Sequence, residues 1–284
     1  MRERLWGGSR CFALARTERL GSLRRMSTPL ARRALLAAVL LAPVASSLFA
    51  QVTETPQTVA PGKILVEMDG LSLGFDRSQS PGTNFTAVGV GSTILSAGLT
   101  DSVDLQVGAT LFVRQTYDFG GRTDSRSGLG DLRFRVKWTC WRDAQLGAAL
   151  ALMPYVKVPA NTGGTGNKSI EGGLIIPWAM TLPGGVTAGA MLQWDVVRND
   201  ADNGYDARWK VTGALRRNLT SALALYGEGT VAAVSTGLSN WAGTIGAGAL
   251  LRVTKSIELD YELQRGVNRR ATDWVHVFRV NWEW

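Results

Sequence analysis

The stretch Val103-Asp104-Leu105-Gln106-Val107-Gly108-Ala109-Thr110-Leu111-Phe112-Val113-Arg114-Gln115-Thr116-Tyr117-Asp118 decides the reading of this chain. Val103, Leu105, Val107, Ala109, Leu111, Val113 and Tyr117 share one parity. Asp104, Gln106, Thr110, Arg114, Thr116 and Asp118 share the other. Successive side chains of a strand point to opposite faces, so this is a strand with one apolar and one wet face. Asp131–Trp141 repeats the pattern, with Leu132, Phe134, Val136, Trp138 and Cys140 set against Asp131, Arg133, Arg135, Lys137 and Thr139. Tyr205–Arg216 again separates Trp209, Val211 and Leu215 from Asp206, Arg208, Lys210 and Thr212.

Extending the same test predicts strands over 63–76, 84–97, 103–118, 129–141, 145–158, 170–182, 186–198, 205–216, 219–233, 241–253, 257–264 and 273–284. Twelve strands from Gln51 onward leave about 19–20 residues for each strand and its connection, and a membrane strand needs ~9–11. The connections alternate. Short ones fall at Thr100-Asp101, Arg142-Asp143, Pro183-Gly184-Gly185, Asn218 and Thr254-Lys255. Longer polar ones fall at 77–83, 119–128, 159–169, 199–204, 235–240 and 265–272. Short turns on one side, long loops on the other and an even strand number describe an outer-membrane barrel. The expected fold is all-β, a single antiparallel transmembrane barrel of about twelve strands in an up-and-down meander.

Composition narrows the alternatives. The longest apolar stretch, Ala34–Val44, is broken by Pro43 and is shorter than the ~20 residues a spanning helix needs, which excludes a helical membrane protein. Two cysteines, Cys11 and Cys140, and one histidine, His276, build neither a disulfide framework nor a zinc site. Of the 31 bases, nine lie in residues 1–50 against two of the 23 acids, which leaves 22 bases and 21 acids for the body. So even a balance removes the case for a nucleic-acid footprint. Arg32-Arg33, the run Ala34–Leu41 and the small residue Ala50 read as a signal peptide cut after Ala50, with Met26 the expected true start. The expected domains are therefore a leader, 1–50, and a barrel, 51–284.

Tryptophan supports the barrel. Trp138, Trp178, Trp282 and Trp284 lie near short turns or the terminus, and Trp194, Trp209, Trp241 and Trp274 near long loops, as two interfacial girdles would. A soluble β-sandwich also alternates. Export, even parity, two Trp belts and the alternating end Phe278-Arg279-Val280-Asn281-Trp282-Glu283-Trp284 favour the barrel. Trp284 is the expected signal to the barrel-assembly machinery.

Three segments resemble the outer-membrane family described as a phenol-degradation meta-pathway component or transporter. They are Gly128-Leu129-Gly130-Asp131-Leu132 with Lys137-Trp138, then Met153-Pro154-Tyr155-Val156-Lys157-Val158-Pro159, then Glu258-Leu259-Asp260 with Gly266-Val267 and Ala271-Thr272-Asp273-Trp274. The likeness spans about 65–284, and Arg269-Arg270 is more basic than that hairpin usually is. The resemblance implies a small barrel that moves hydrophobic or aromatic compounds.

Enzymatic signatures are weak. Gly89-Val90-Gly91 lies in a strand and reads as a kink or small-residue packing site, since a phosphate cradle needs a helix after it. Glu228, Asp260 and Glu262 read as a hydrated wall rather than an acid/base set. His276 shares the face of Trp274 and Phe278, as a girdle histidine would, whereas a lipase would add a serine and an oxyanion site. Asn161–Asn167 reads as an outer loop.

The leading expectation is a porin-like, monomeric channel in a Gram-negative outer membrane for passive uptake of small, hydrophobic or aromatic molecules. Its partners would be the solute, membrane lipid and lipopolysaccharide, with no cofactor, metal or nucleic acid. Its lining would be Asp104, Arg114, Asp131, Arg133, Arg135, Lys137, Arg208, Lys210, Glu228, Asp260, Glu262 and Arg279, with acids such as Asp104 and Asp118 offsetting the basic stripe 133–137. Opposed charges across a wall set a transverse field that tunes selectivity. The alternatives are a barrel-borne lipid-modifying enzyme and a structural or adhesive barrel with a plugged lumen.

Overall fold

The computed structural model of the chain describes residues 52–77, 83–119, 121–166, 168–199, 203–234 and 241–284. The leader, the cut after Ala50 and loop 235–240 lie outside the described residues. Thirteen strands follow in order: β1 (Ile64–Asp76), β2 (Thr83–Thr100), β3 (Val103–Phe119), β4 (Arg122–Gly128), β5 (Leu132–Asp143), β6 (Ala148–Val158), β7 (Glu171–Leu182), β8 (Val186–Arg198), β9 (Tyr205–Asn218), β10 (Leu223–Val234), β11 (Ala242–Arg252), β12 (Ile257–Gly266) and β13 (Trp274–Glu283). Each pairs antiparallel with its neighbour, and β1 pairs with both β2 and β13, so the sheet closes on itself. β4 and β5 both pair with β3, at its far and near halves, so together they make one stave of a twelve-stave barrel.

β4 corrects the expected loop at 119–128. Its sequence, Arg122-Thr-Asp-Ser-Arg-Ser-Gly128, is exposed along nearly its whole length. No half-buried pattern marks such a strand, because β4 is polar on both faces. The stave breaks at 129–131, where Leu129 N donates to Thr162 Oγ1 at 2.9 Å and Gly130 N to Thr110 O at 2.9 Å. The loop expected at 161–167 thus ties down this break, and Asn161 Nδ2 reaches Asp131 Oδ1 at 2.5 Å. The expected strand start at 219 moves to Leu223, because Thr220 Oγ1 accepts from the amides of Ala222 and Leu223 and turns the chain.

The barrel is inside-out relative to a soluble domain. Outward Leu105, Val107, Phe134, Trp138, Leu192, Val211, Leu225, Leu259, Phe278 and Trp282 are exposed, while inward Asp104, Gln106, Lys137, Asp195, Glu262 and Arg279 are buried. A soluble sandwich would bury the first set and expose the second. Cys140 lies on the exposed outer face, beside a bulge where Thr139 and Trp141 shift register against β6.

Side-chain parity switches within β1, β2 and β3. β1 buries Leu65, Glu67 and Asp69 below Gly70, then Ser72 and Asp76 above it. β2 buries Ser96 below Gly91, then Phe85 and Ala87 above it. On β3, Asp104 and Gln106 point inward below Leu111, whereas above it Tyr117 packs on buried Phe85 at 4.8 Å between ring centroids. Gly91 permits the switch with φ +63°, and a Cβ there would lie 2.9 Å from Leu111 Cδ1. The kink expected around 89–91 is therefore real. It also corrects two expectations. Arg114 is not on the lumen wall: it is exposed beside β4, and its Nε donates to Ser125 Oγ at 3.2 Å. Asp118 likewise faces out, accepting from Thr123 Oγ1 at 2.6 Å.

A left-handed backbone costs ~1–2 kcal/mol in any residue bearing a Cβ. Gly91→Ala should therefore lower barrel stability by about that much in urea unfolding followed by gel mobility. Gly229→Ala, which meets nothing within 4 Å and needs no positive φ, should leave it unchanged.

Candidate functional site: a charged lumen with an internal strap

Residues 52–63 run through the barrel rather than outside it. The segment leaves the short-turn end at Lys63, where Gly62 N donates to Gly98 O and Gly98 N to Lys63 O, each at 3.0 Å. A Cβ at Gly98 would sit 2.1 Å from Ala60 O, so only glycine lets the strap pass this close to β2. Val59 buries its side chain among Leu65, Ala224, Tyr226 and Leu250, an apolar floor to the lumen. Gly248 makes room for that floor, since a Cβ there would overlap the Tyr226 ring at 2.2 Å.

The strap is bound almost wholly through polar groups. Val59 N donates to Asp104 Oδ2 at 3.0 Å and Thr58 Oγ1 to Asp101 O at 2.9 Å. Lys137 Nζ donates to Gln57 O at 3.2 Å and Thr139 Oγ1 to Pro56 O at 2.5 Å. Glu54 and Arg135 form an ion pair at 2.7 Å, both side chains 1% exposed. At mid-barrel the strap crosses to the opposite wall. There Glu228 accepts from the amides of Thr53 at 2.9 Å and Val52 at 3.3 Å, and Thr53 Oγ1 donates to Thr212 Oγ1 at 2.7 Å. The basic stripe Arg133-Arg135-Lys137 is thus answered largely by the strap and by Asp104.

Two further clusters fill the wall. Around Arg279, Nε binds Asp69 at 2.9 Å, Nη1 binds Asp260, and Nη2 lies 3.6 Å from Glu262; Tyr226 Oη donates to Asp260 at 2.8 Å. Above the strap, Asp195 accepts from Tyr155 Oη at 2.6 Å and Gln193 at 2.7 Å. Arg208 donates to its other oxygen through Nε at 2.9 Å and Nη2 at 2.7 Å. The Arg133 guanidinium lies 5.4 Å over the Tyr155 ring, and buried Lys210 projects inward beside Arg208. At the long-loop mouth Lys157 bridges Glu171 at 2.6 Å and Asp131 at 3.8 Å.

Of the twelve lining residues expected from sequence, the structure brings all but Arg114 to the lumen or its mouth. Reading by parity missed Glu67, Asp69, Tyr155, Gln193, Asp195, Arg216 and Glu258, though all lie on alternating runs and were there to be counted. It also missed the strap. Thr53-Glu54-Thr55-Pro56 has no alternation, and what orders it is the charge of a wall far away in sequence. His276 lies outward, with Nδ1 3.0 Å from Tyr261 Oη and the ring edge-on to Phe75. Among the described residues no group of three or more His, Cys, Asp or Glu could hold a metal ion.

Arg135→Glu should set two carboxylates against each other and free the strap, since breaking a buried ion pair costs ~3–5 kcal/mol. The expected readout is rapid cleavage within the strap, residues 52–59, by proteinase K in the folded barrel. The swap Glu54→Arg with Arg135→Glu should restore most of the protection.

Comparison with known proteins follows this geometry. The chain is similar to the COG4313 outer membrane channel from Pseudomonas putida F1, at 13% identity over 80% of this chain and 97% of that one, with a TM-score of 0.63. Weaker similarities are to the NanC porin (10% identity, 76% and 97% coverage, TM-score 0.48) and the CymD monoaromatic hydrocarbon channel (7%, 79% and 88%, 0.43). A comparison with curated proteins finds no match. Residues 50–284 match the family described as "Putative MetA-pathway of phenol degradation". The chain belongs to that family, as an outer-membrane-type β-barrel.

Proposed function

We propose that the protein is an outer-membrane channel for passive uptake of small, hydrophobic or aromatic molecules, narrowed at its periplasmic half by the strap 52–63. One observation carries this reading: the wall facing inward is largely charged and polar, broken by two apolar clusters around Val59 and Met153, while the wall facing outward is apolar. Several buried wall atoms, among them Arg216 Nε and Nη1 and both amide atoms of Asn281, have no hydrogen-bond partner among the described residues. Buried polar groups of this kind are satisfied by water, so a hydrated path along the wall fits the arrangement. The family description supports aromatic compounds as the solute class.

The path is sectored. Glu67, Asp69, Glu258, Asp260 and Glu262 crowd β1 and β12, and Arg133, Arg135, Lys137, Arg208 and Lys210 crowd β5 and β9. Such opposition holds a field across the lumen that orders water and polar solutes. An enzymatic role draws no support from His276, whose ring partner is a tyrosine. A second reading, a structural barrel without conduction, is favoured by the apolar floor around Val59.

Planar-bilayer recordings separate the two. Removing residues 52–58 should raise single-channel conductance several-fold over the intact protein, and a barrel silent in both forms would exclude conduction. A tag inserted at 161–166 should be labelled on intact cells and one at 183–185 should not, because the long loops face outward in this class of barrel.

A further inference from the structure

On the lipid-facing side of β1, β12 and β13, at the long-loop end, lies a groove of about 580 Å³ lined by Phe75, Arg77, Arg265, Asp273, Trp274 and His276, among others. We propose that this groove is a binding site for a phosphorylated lipid of the outer leaflet, with phosphate on the two arginines and an acyl chain along the rings below. The inference rests on the barrel being in the membrane but not on its conducting.

Height supports the assignment. Trp274 and Trp282 sit on the same outward face of β13, about 26 Å apart along a strand rising ~3.3 Å per residue, or about 20 Å in height at a barrel tilt of ~40°. Aromatic girdles bracket an apolar band ~25 Å tall, so Trp274 marks the outer interface. Arg77, just past the end of β1, and Arg265, paired with Trp274 across the sheet, lie at headgroup level.

Charge supports it too. Arg265 holds its guanidinium 5.1 Å over the Trp274 ring, and both arginines are exposed. Neither guanidinium joins an ion pair with a described residue. The one carboxylate in the lining, Asp273, accepts from the Arg77 backbone amide at 2.7 Å and forms no ion pair with either guanidinium. Two guanidinium groups with no ion-pair partner among the described residues suit a phosphate oxygen fork better than a neutral headgroup. Below them Phe75 meets His276 edge-on at 6.2 Å, and Tyr261 meets Phe278 at 4.8 Å, a continuous ring surface for a hydrocarbon chain.

The test is native mass spectrometry of the full barrel in a non-ionic detergent, titrated with diphosphorylated lipid A, with its dephosphorylated form, and with inorganic phosphate as competitor. The expected result is retention of one diphosphorylated lipid A per barrel, at least tenfold weaker retention of the dephosphorylated form, and little displacement by millimolar phosphate. Arg77→Gln with Arg265→Gln should lose at least tenfold in affinity, while Arg217→Ala, at the short-turn end, should lose none. Equal binding of the two lipids by the unaltered protein overturns the proposal, as does full binding by the Gln pair. Strong displacement by phosphate also overturns it, because the site would then read a free anion and not a lipid.

Discussion

A peptide group facing hydrocarbon finds no water, so each N–H and C=O must be bonded within the protein. The rest of this structure depends on that constraint. It forces the sheet to close, with β1 joined to both β2 and β13, and closure forces every strand to divide its side chains between lipid and lumen. Most aliphatic and aromatic residues then serve outside, apart from buried inward clusters such as Leu65, Tyr226 and Leu250 around Val59. The inside receives whatever charge the other parity carries.

A lumen lined in this way must solve the problem of buried charge. Isolated ions in a narrow interior are costly, and the wall responds by pairing them. Arg279 is held among Asp69, Asp260 and Glu262, and Asp195 among Tyr155, Gln193 and Arg208. β5 points three cations inward, and the strap brings Glu54 to Arg135 and the Gln57 carbonyl to Lys137. The segment that narrows the lumen is therefore also the one that stabilises the wall. A narrow barrel of this size gains stability from the strap and loses cross-section to it.

Backbone freedom at a few glycines decides where these pieces meet. Gly91 lets β2 switch side-chain parity at the height where β1 switches at Gly70 and β3 at Leu111. Above that height a reading by simple parity inverts, which is why Arg114 and Asp118 leave the lumen while Tyr117 turns toward Phe85. Gly98 and Gly248 act by absence of a side chain, one admitting the strap and the other the Tyr226 ring.

Much of this was legible along the chain. Period-two alternation over 103–118, 131–141 and 205–216, with turns of alternating length, determined an inside-out closed sheet and named most of its lumen charges, because alternation in a strand is a local property. The two Trp belts followed from the same local rule. What only the tertiary structure decided was non-local. The strap carries no periodic signal, and its position is set by Arg135, Lys137, Asp104 and Glu228, residues up to 176 positions away. The wet hairpin strand β4 has no apolar face to reveal it. The pairing of each cation with its acid depends on barrel register, and a shift of one residue would move every charge to the wrong face.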